Sequence, residues 1–179
     1  NGLNINKDVG ATAPSALSKA VLEHQADLGI ALDGDADRLM MVDAAGKVYD
    51  GDQLLLAVLR SRLRQGAVAG VVGTLMTNLA FEHALEGLKV PFARAAVGDR
   101  YVLEMLREKG WLFGGENSGH ILCLDKHTTG DGIVSALQVL SALCEEGGNL
   151  ASLLGQLELY PQRLINVPLI KGFPWKDNS

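Results

Sequence analysis

Between residues 50 and 160, short apolar runs alternate with longer segments of helical periodicity, and this alternation constrains the fold more than any other feature. In the longer segments, apolar residues recur at the spacing of one helix face. Runs such as AVAGVVG are short and apolar throughout, as buried strands are. Because strands that alternate with helices form a sheet covered by helices, the sequence predicts an α/β fold with a mixed sheet flanked by helices.

The same patterns predict where the individual elements lie. Helices are predicted over residues 14–25, 50–65, 78–88, 99–109 and 131–146, and strands over 28–32, 39–42, 67–73, 91–97, 111–113, 120–124 and 164–169. Residues 1–49 hold too few elements to close a sheet. We therefore expect one complete domain over 50–161, the carboxyl-terminal part of a second domain over 1–49, and a linker or tail over 162–179.

Composition and charge exclude several classes of protein. A net charge of -5 argues against a general nucleic-acid binder, and the basic group Arg60, Arg62 and Arg64 is interpreted as a solvated helix face. The sequence has no apolar stretch of about 20 residues and no secretory signal at its first residues, so neither a membrane span nor export is predicted. Cys123 and Cys144 lack metal-ligand spacing and are predicted to be reduced core thiols of a cytoplasmic protein.

The stretch ALDGDADRLMMVD places Asp33, Asp35 and Asp37 at alternate positions between two apolar runs. Three like charges this close repel one another, so a compensating cation is expected. Carboxylate oxygens suit a hard divalent ion, and three of them leave positions for water or a phosphate, as Mg²⁺ prefers. Arg38 follows directly and is suited to bind a phosphate through two hydrogen bonds.

Two better-known aspartate loops do not fit this stretch. An EF-hand requires Gly at the sixth position and Glu at the twelfth, where this chain has Arg38 and Ala44. The nucleophilic loop of haloacid-dehalogenase-type phosphatases requires a small hydroxyl residue or Val where Asp37 stands. A polar hairpin turn with solvated aspartates stays open as an alternative.

A second loop, GGENSGH over residues 114–120, combines glycines with polar side chains. Glycine allows a ligand to approach the backbone closely, and Glu116 and Ser118 are suited to sugar hydroxyls. A plain glycine-rich turn explains the pattern equally well. His120 at its end is expected to orient the loop rather than to act in catalysis.

A third loop, VGDRY over residues 97–101, precedes a predicted helix. Asp99 is expected either to cap that helix or to face a ligand, and Arg100 to meet an anion at the helix start. The segment TTGDG at residues 128–132 is interpreted mainly as the start of the next helix.

Taken together, these motifs resemble the α-D-phosphohexomutase family, and within it the branch that acts on glucosamine phosphates. The resemblance extends to about Val167 and rests on ALDGDADRLMMVD, DGDQ, VGTLMTN, VGDRYVLE, GGENSGH and TTGDGI. It implies Mg²⁺ ligands Asp33, Asp35 and Asp37, a phosphate-facing Arg38, substrate-facing Asp99 and Arg100, and sugar-binding Glu116, Asn117, Ser118 and His120.

The resemblance also implies a reaction. Glucosamine 6-phosphate and glucosamine 1-phosphate interconvert through a bisphosphorylated sugar and a phosphoserine, on the route to UDP-N-acetylglucosamine and the cell wall. The phosphoserine segment and the last phosphate-binding loop do not occur in this chain, so we expect a fragment that is inactive alone. Exposed sheet edges then favour a homodimer. Residues 172–179 do not match and are expected to be foreign to the family.

Two alternatives to this interpretation remain. One is a fragment of a family member that acts on mannose or glucose phosphates, and the other is a non-catalytic module that binds Mg²⁺ or sugar phosphates. The chain also departs from the family pattern DGDGDR, because Ala36 replaces the central glycine. If this position requires a positive φ, alanine costs about 1 kcal/mol there.

Overall fold

The structure is a computed structural model that describes residues 2–66, 68–155, 157–163 and 165. The helices are α1 (Ser15–His24), α2 (Gly51–Gln65), α3 (Leu79–Gly87), α4 (Asp99–Lys109), α5 (Gly132–Glu146) and α6 (Leu150–Leu154). The strands are β1 (Leu28–Leu32), β2 (Leu39–Asp43), β3 (Val48–Tyr49), β4 (Val71–Thr74), β5 (Phe92–Ala95), β6 (Phe113–Gly115) and β7 (Ile121–Cys123).

The larger sheet has the strand order β5-β4-β6-β7 and is mixed. β4 runs parallel to β5 and β6, whereas β7 is antiparallel to β6. Successive residues of β4 point to opposite faces: Val71 joins the main core with α2, α3 and α5, and Val72 packs with Val102 and Leu106 of α4. The predicted α/β class, with a mixed sheet between helices, is confirmed.

The smaller sheet is antiparallel, with the order β1-β2-β3. Leu39, Met41 and Tyr49 from this sheet are buried in the main core. The backbone N–H of Leu39 donates to the carbonyl of Gly119 at 3.0 Å, and Arg38 forms an isolated bridge with His120. The loop after β1 therefore lies beside the loop before β7. β1 lies at the edge of its sheet, and the homodimer stays a prediction.

Most element bounds agree with the predictions to within two residues, but β4 begins at Val71, four residues later than predicted. β6 is displaced by two residues towards the glycine-rich loop. It covers Phe113–Gly115, so two glycines predicted to be loop are strand. A side chain at Gly114 would collide with the carbonyl of Val72, at 2.7 Å from the added Cβ, so the neighbouring strand pairs closely only with glycine. β3 and α6 were not predicted because both are very short. The predicted strand over 164–169, apart from residue 165, and the tail over 172–179 lie outside the described residues.

The arginine group on α2 is only partly the solvated face that the charge pattern suggested, because Arg64 is exposed whereas Arg60 and Arg62 are partly buried. Its side chains bind other parts of the fold, and the Arg62 side chain is only 15% exposed. The partners are the Leu153 carbonyl for Arg60, Asp125 and Gln138 for Arg62, and Glu146 for Arg64. The basic group therefore fastens α2 to α5 and α6.

The two cysteines differ in their surroundings. Cys123 in β7 is buried, as predicted, and burial raises the pKa of its thiol to about 12. Cys144 in α5 is exposed, so the prediction of a second core thiol is wrong. Among the described residues, no helix combines the length and the hydropathy needed to cross a membrane.

Candidate functional site

The three aspartates of the first loop converge on one point. Asp33, Asp35 and Asp37 can each present one carboxylate oxygen such that all three oxygens lie within 4.8 Å of one another. The loop turns at Ala36, whose φ is 60°, so the condition under which alanine is costly at this position is met. The N–H of Gly132 at the start of α5 donates to the Ala36 carbonyl at 2.8 Å, which helps to hold the strained turn.

Protein groups neutralise this cluster only in part. The Nε of Arg38 lies 3.5 Å from Oδ2 of Asp33 and 3.9 Å from Oδ1 of Asp37. Oδ1 of Asp37 is nevertheless buried without a hydrogen-bond donor among the described residues. Burial raises the pKa of Asp37, Asp33 and Asp35 raise it further, and His120 opposes them. A buried carboxylate oxygen without a donor, beside two further carboxylates, fits a bound cation.

His120 links the aspartate loop to the second loop. Its Nδ1 lies 3.1 Å from Oδ2 of Asp37, and its side chain is 6% exposed. Gly130 packs directly against the other side of the imidazole ring, where a side chain would collide with Nε2. The ring is therefore held between two loops, which is the orienting position that we expected for His120.

Both loops border one cavity of about 340 Å³, a volume within the range of small-ligand sites. The lining residues are Asp37, Arg38, Met76, Val97, Gly98, Asp99, Glu116, Asn117, Ser118 and His120. Seven of the ten predicted site residues therefore line the same cavity. Asp33, Asp35 and Arg100 are not among the lining residues. The Arg100 side chain is 80% exposed and pairs with Glu104 at 2.7 Å, outside the cavity.

The second loop is a tight turn attached to two helix starts. The N–H of Glu116 donates to the His120 carbonyl at 2.9 Å, which closes the turn. Oε1 of Glu116 accepts from the N–H of Gly98, which precedes α4, at 2.9 Å. The N–H of Gly51 in α2 donates to the Asn117 carbonyl at 3.2 Å. These bonds fix the Glu116 carboxylate at the edge of the cavity.

Asp99 does not cap α4. The helix begins at Asp99 itself, and the preceding Gly98 occupies the cap position with a φ of 130° and no side-chain hydrogen bond. The extended, positive-φ conformation at Gly98 is one that glycine adopts readily. Asp99 instead stands in the first turn of α4, at the lining of the cavity.

The sequence patterns missed Met76, although its motif VGTLMTN was part of the family resemblance. Met76 lies in the turn between β4 and α3 and lines the cavity. The turn is held by Asp52, which is 2% exposed and whose Oδ2 accepts from the Asn78 N–H at 2.7 Å. Burial raises the pKa of Asp52 to about 7. An apolar residue in a polar turn, just before the helix-capping Asn78, was the available signal.

We expect Gly51→Ala to disturb the second loop. An added Cβ would collide with the Glu116 carbonyl and would lie 2.7 Å from the N–H nitrogen of Gly119. Overpacking against backbone costs about 1–3 kcal/mol, so the free energy of unfolding should fall by that amount in urea titrations. Gly87→Ala at the end of α3 is the control, because its Cβ meets nothing within 4 Å. An equal effect of both substitutions would contradict this assignment.

Comparison with known proteins identifies the class. The sequence model described as phosphoglucomutase/phosphomannomutase, alpha/beta/alpha domain III, matches residues 50–160. The chain therefore belongs to the phosphoglucomutase/phosphomannomutase family, as its motifs indicated.

Within the family, the chain is similar to phosphoglucosamine mutases. It is 74% identical to that of Dechloromonas aromatica (strain RCB) over 178 residues and 65% identical to that of Azoarcus sp. (strain BH72) over 179 residues. These alignments cover 99% and 100% of this chain but only 40% of each relative. Because the second alignment includes residues 172–179, the expectation that this tail is foreign to the family is wrong.

Solved structures with low sequence identity share the fold. A family protein from Burkholderia thailandensis has a TM-score of 0.73 at 22% identity, over 83% of this chain and 32% of its own. Aspergillus fumigatus N-acetylphosphoglucosamine mutase, solved in complex with GlcNAc-6P and magnesium, has a TM-score of 0.68 at 20% identity, over 90% of this chain and 42% of its own. At these identities the comparison establishes the fold alone.

Proposed function

We propose that this chain supplies the metal-binding and sugar-binding part of a phosphoglucosamine mutase, which interconverts glucosamine 6-phosphate and glucosamine 1-phosphate. One observation carries the proposal: Asp37 and Arg38 of the first loop share a cavity with Glu116, Ser118 and His120 of the second. The relatives that are 74% and 65% identical carry the same name. The phosphoserine that the reaction requires is proposed to belong to another part of the protein.

The proposed metal ligands are Asp33, Asp35 and Asp37, and the proposed ion is Mg²⁺. The oxygen donor set and the buried, unbonded Oδ1 of Asp37 support this choice. When bound, Mg²⁺ supplies positive charge that stabilises a phosphoryl group during its transfer. His120 keeps the Asp37 carboxylate in place through the 3.1 Å contact at Nδ1.

The remaining residues bind and orient the substrate. Arg38 is half-exposed at the cavity and donates readily to a phosphate, because its guanidinium presents a planar pair of N–H groups. Glu116 accepts from sugar hydroxyl groups while the Gly98 N–H holds its other side, and Ser118 both donates and accepts. Asp99 and Asn117 are proposed to complete the sugar contacts, and Arg100 to approach the substrate only after leaving Glu104.

The charge of the cavity supports an amino sugar. Two carboxylates that are not proposed metal ligands line it, those of Asp99 and Glu116, and Arg38 is the arginine among the lining residues. Glucosamine 6-phosphate carries both an ammonium group and a phosphate, so it matches both signs of charge. Mannose 6-phosphate offers a neutral hydroxyl in place of the ammonium group and gains less from the carboxylates.

A chimera tests this function. The matching segment of the Dechloromonas aromatica enzyme is replaced by this chain, and Mg²⁺-dependent turnover of glucosamine 6-phosphate and mannose 6-phosphate is measured. We expect preference for the amino sugar, and a loss of roughly tenfold or more in kcat/KM for Glu116→Gln. Glu23→Gln, on the exposed side of α1, is the matched control and should not change the rate.

Each adverse outcome has a separate meaning. Equal or faster turnover of mannose 6-phosphate overturns the sugar assignment but not the fold or the metal site. A folded chimera that binds Mg²⁺ and sugar phosphate without turnover indicates the non-catalytic binding module. A Glu116→Gln effect no larger than that of Glu23→Gln removes Glu116 from the site.

A further inference from the structure

The turn between β4 and α3, residues 74–78, is fixed from several directions. The Nη1 of Arg94 donates to the carbonyls of Thr74 and Thr77, at 2.9 Å each. The hydroxyl of Thr77 accepts from the Thr74 N–H at 2.9 Å, and Asp52 accepts from the Asn78 N–H. The turn therefore has one defined shape, and Met76 stands on it at the cavity.

The segment that follows α6, residues 157–163, is bound to the same turn. The side-chain amide of Asn78 donates to the Tyr160 carbonyl at 2.9 Å and accepts from the Tyr160 N–H at 3.1 Å. The Asn78 side chain therefore satisfies both the N–H and the carbonyl of Tyr160, as the backbone of a neighbouring strand would do in a sheet. Asn78 is 3% exposed, so both bonds are shielded from water.

Three further contacts seat the segment. The Gln162 side chain donates to the carbonyl of Met76 at 3.0 Å, and Met76 is the residue of this turn that lines the cavity. The Tyr160 hydroxyl lies 3.3 Å from Nδ1 of His83, and the two rings meet edge to face. Leu157 packs against the main core. The segment thus contacts the carbonyl of Met76 at one point and its turn at another.

We propose that Asn78 is a positioning residue, which fastens segment 157–163 to the 74–78 turn and thereby sets the place of Met76 at the mouth of the sugar-phosphate cavity. The proposal deepens the proposed function and rests on it. When the segment detaches from the turn, the Met76 carbonyl loses its hydrogen bond from Gln162, and Asn78 loses its two bonds to the Tyr160 backbone. Ligand affinity then depends on whether residues 157–163 are bound to the turn, although Tyr160 lies 82 positions after Asn78 in the sequence.

The test uses the whole chain with methionine methyl groups labelled by ¹³C, so that Met76 is one of four signals. Asn78→Ser keeps an N-cap oxygen for α3 but is too short to reach Tyr160. Gln162→Ala removes an exposed side chain and carries no folding risk. Glu158→Gln is the matched control, because Glu158 is an exposed residue of the same segment that takes no part in the contacts described above.

We expect Asn78→Ser to remove hydrogen-exchange protection at the Tyr160 amide, to shift the Met76 methyl signal, and to raise the Kd for glucosamine 6-phosphate with Mg²⁺ roughly tenfold. Gln162→Ala should shift the same signal and raise Kd by a smaller factor. Glu158→Gln should leave the Met76 signal in place. An unchanged Met76 signal and unchanged Kd in Asn78→Ser, despite lost protection at Tyr160, overturns the proposal.

Failure of the proposed function gives a different result. In that case the chimera described above shows no Mg²⁺-dependent turnover of glucosamine 6-phosphate, and the methyl signals of the chain are compared without ligand. A Met76 shift in both Asn78→Ser and Gln162→Ala then still supports the mechanical link between segment and turn. If neither variant shifts the Met76 signal, the proposed link between the segment and the turn is wrong, whether or not the ligand binds.

Discussion

Replacing Asp33, Asp35 and Asp37 together by asparagine is expected to abolish Mg²⁺ binding measured by calorimetry. The change removes all three negative charges at the point where their oxygens converge within 4.8 Å, yet it keeps the size of each side chain. It should also raise stability in the absence of metal, because the like charges no longer repel one another and Oδ1 of Asp37 no longer lies buried as an unbonded charge.

The dependence of stability on Mg²⁺ provides the second measurement. At a Mg²⁺ concentration of 100 times Kd, the unaltered chain should gain about 2.7 kcal/mol in the free energy of unfolding. The triple variant should gain nothing. Asp27→Asn, an exposed carboxylate just before β1, is the control and should keep the full gain. Unchanged binding in the triple variant would place the metal elsewhere.

Asp52→Asn is expected to change the pH dependence of stability more than any other single substitution outside the metal loop. Burial raises the pKa of Asp52 from 3.8 to about 7, Asp50 adds to the effect, and the Asn78 N–H and Arg94 oppose it. Between these two values the folded state binds more protons than the unfolded state. Stability from this group is therefore fully present below pH 3.8 and is lost as the pH rises towards 7.

Asparagine cannot ionise, so it removes the loss of stability with rising pH. It also keeps an oxygen that can accept from the Asn78 N–H. The stability of Asp52→Asn relative to the unaltered chain should therefore increase with pH, by about 1.4 kcal/mol per unit and up to about 4 kcal/mol in all. Urea titrations across this pH range measure the difference. Asp27→Asn, which alters an exposed carboxylate, is the control. A difference for Asp52→Asn that is constant with pH would contradict the assigned burial effect.

The sequence predicted those parts of the fold whose causes are local. α4 runs from Asp99 to Lys109, as predicted, because its apolar residues recur on one face and Gly110 adopts the left-handed conformation that ends a helix. β1 matches its prediction, Leu28–Leu32, since it is a short apolar run that ends at the aspartate loop. The family pattern raised a positive φ at Ala36 only as a condition, and the structure supplies the value of 60°.

What the sequence did not predict depends on contacts between distant residues. Asn78 and Tyr160 are 82 positions apart, and no periodicity relates them. The burial of Arg62 follows from the packing of α5 on α2, and the charge pattern of the sequence carries no information about that packing. The shift of β6 to Gly114 and Gly115 depends on the closeness of Val72 in a neighbouring strand.

The contrast between the two cysteines has a practical consequence for spectroscopy. Cys123 is buried with a pKa of about 12, so its thiol is protonated and shielded near neutral pH, whereas Cys144 is exposed on α5. A maleimide dye should therefore attach at a single position without any engineered substitution. A fluorophore at Cys144, which does not line the cavity, would report the tumbling of this chain and its association with the remaining parts of the proposed mutase.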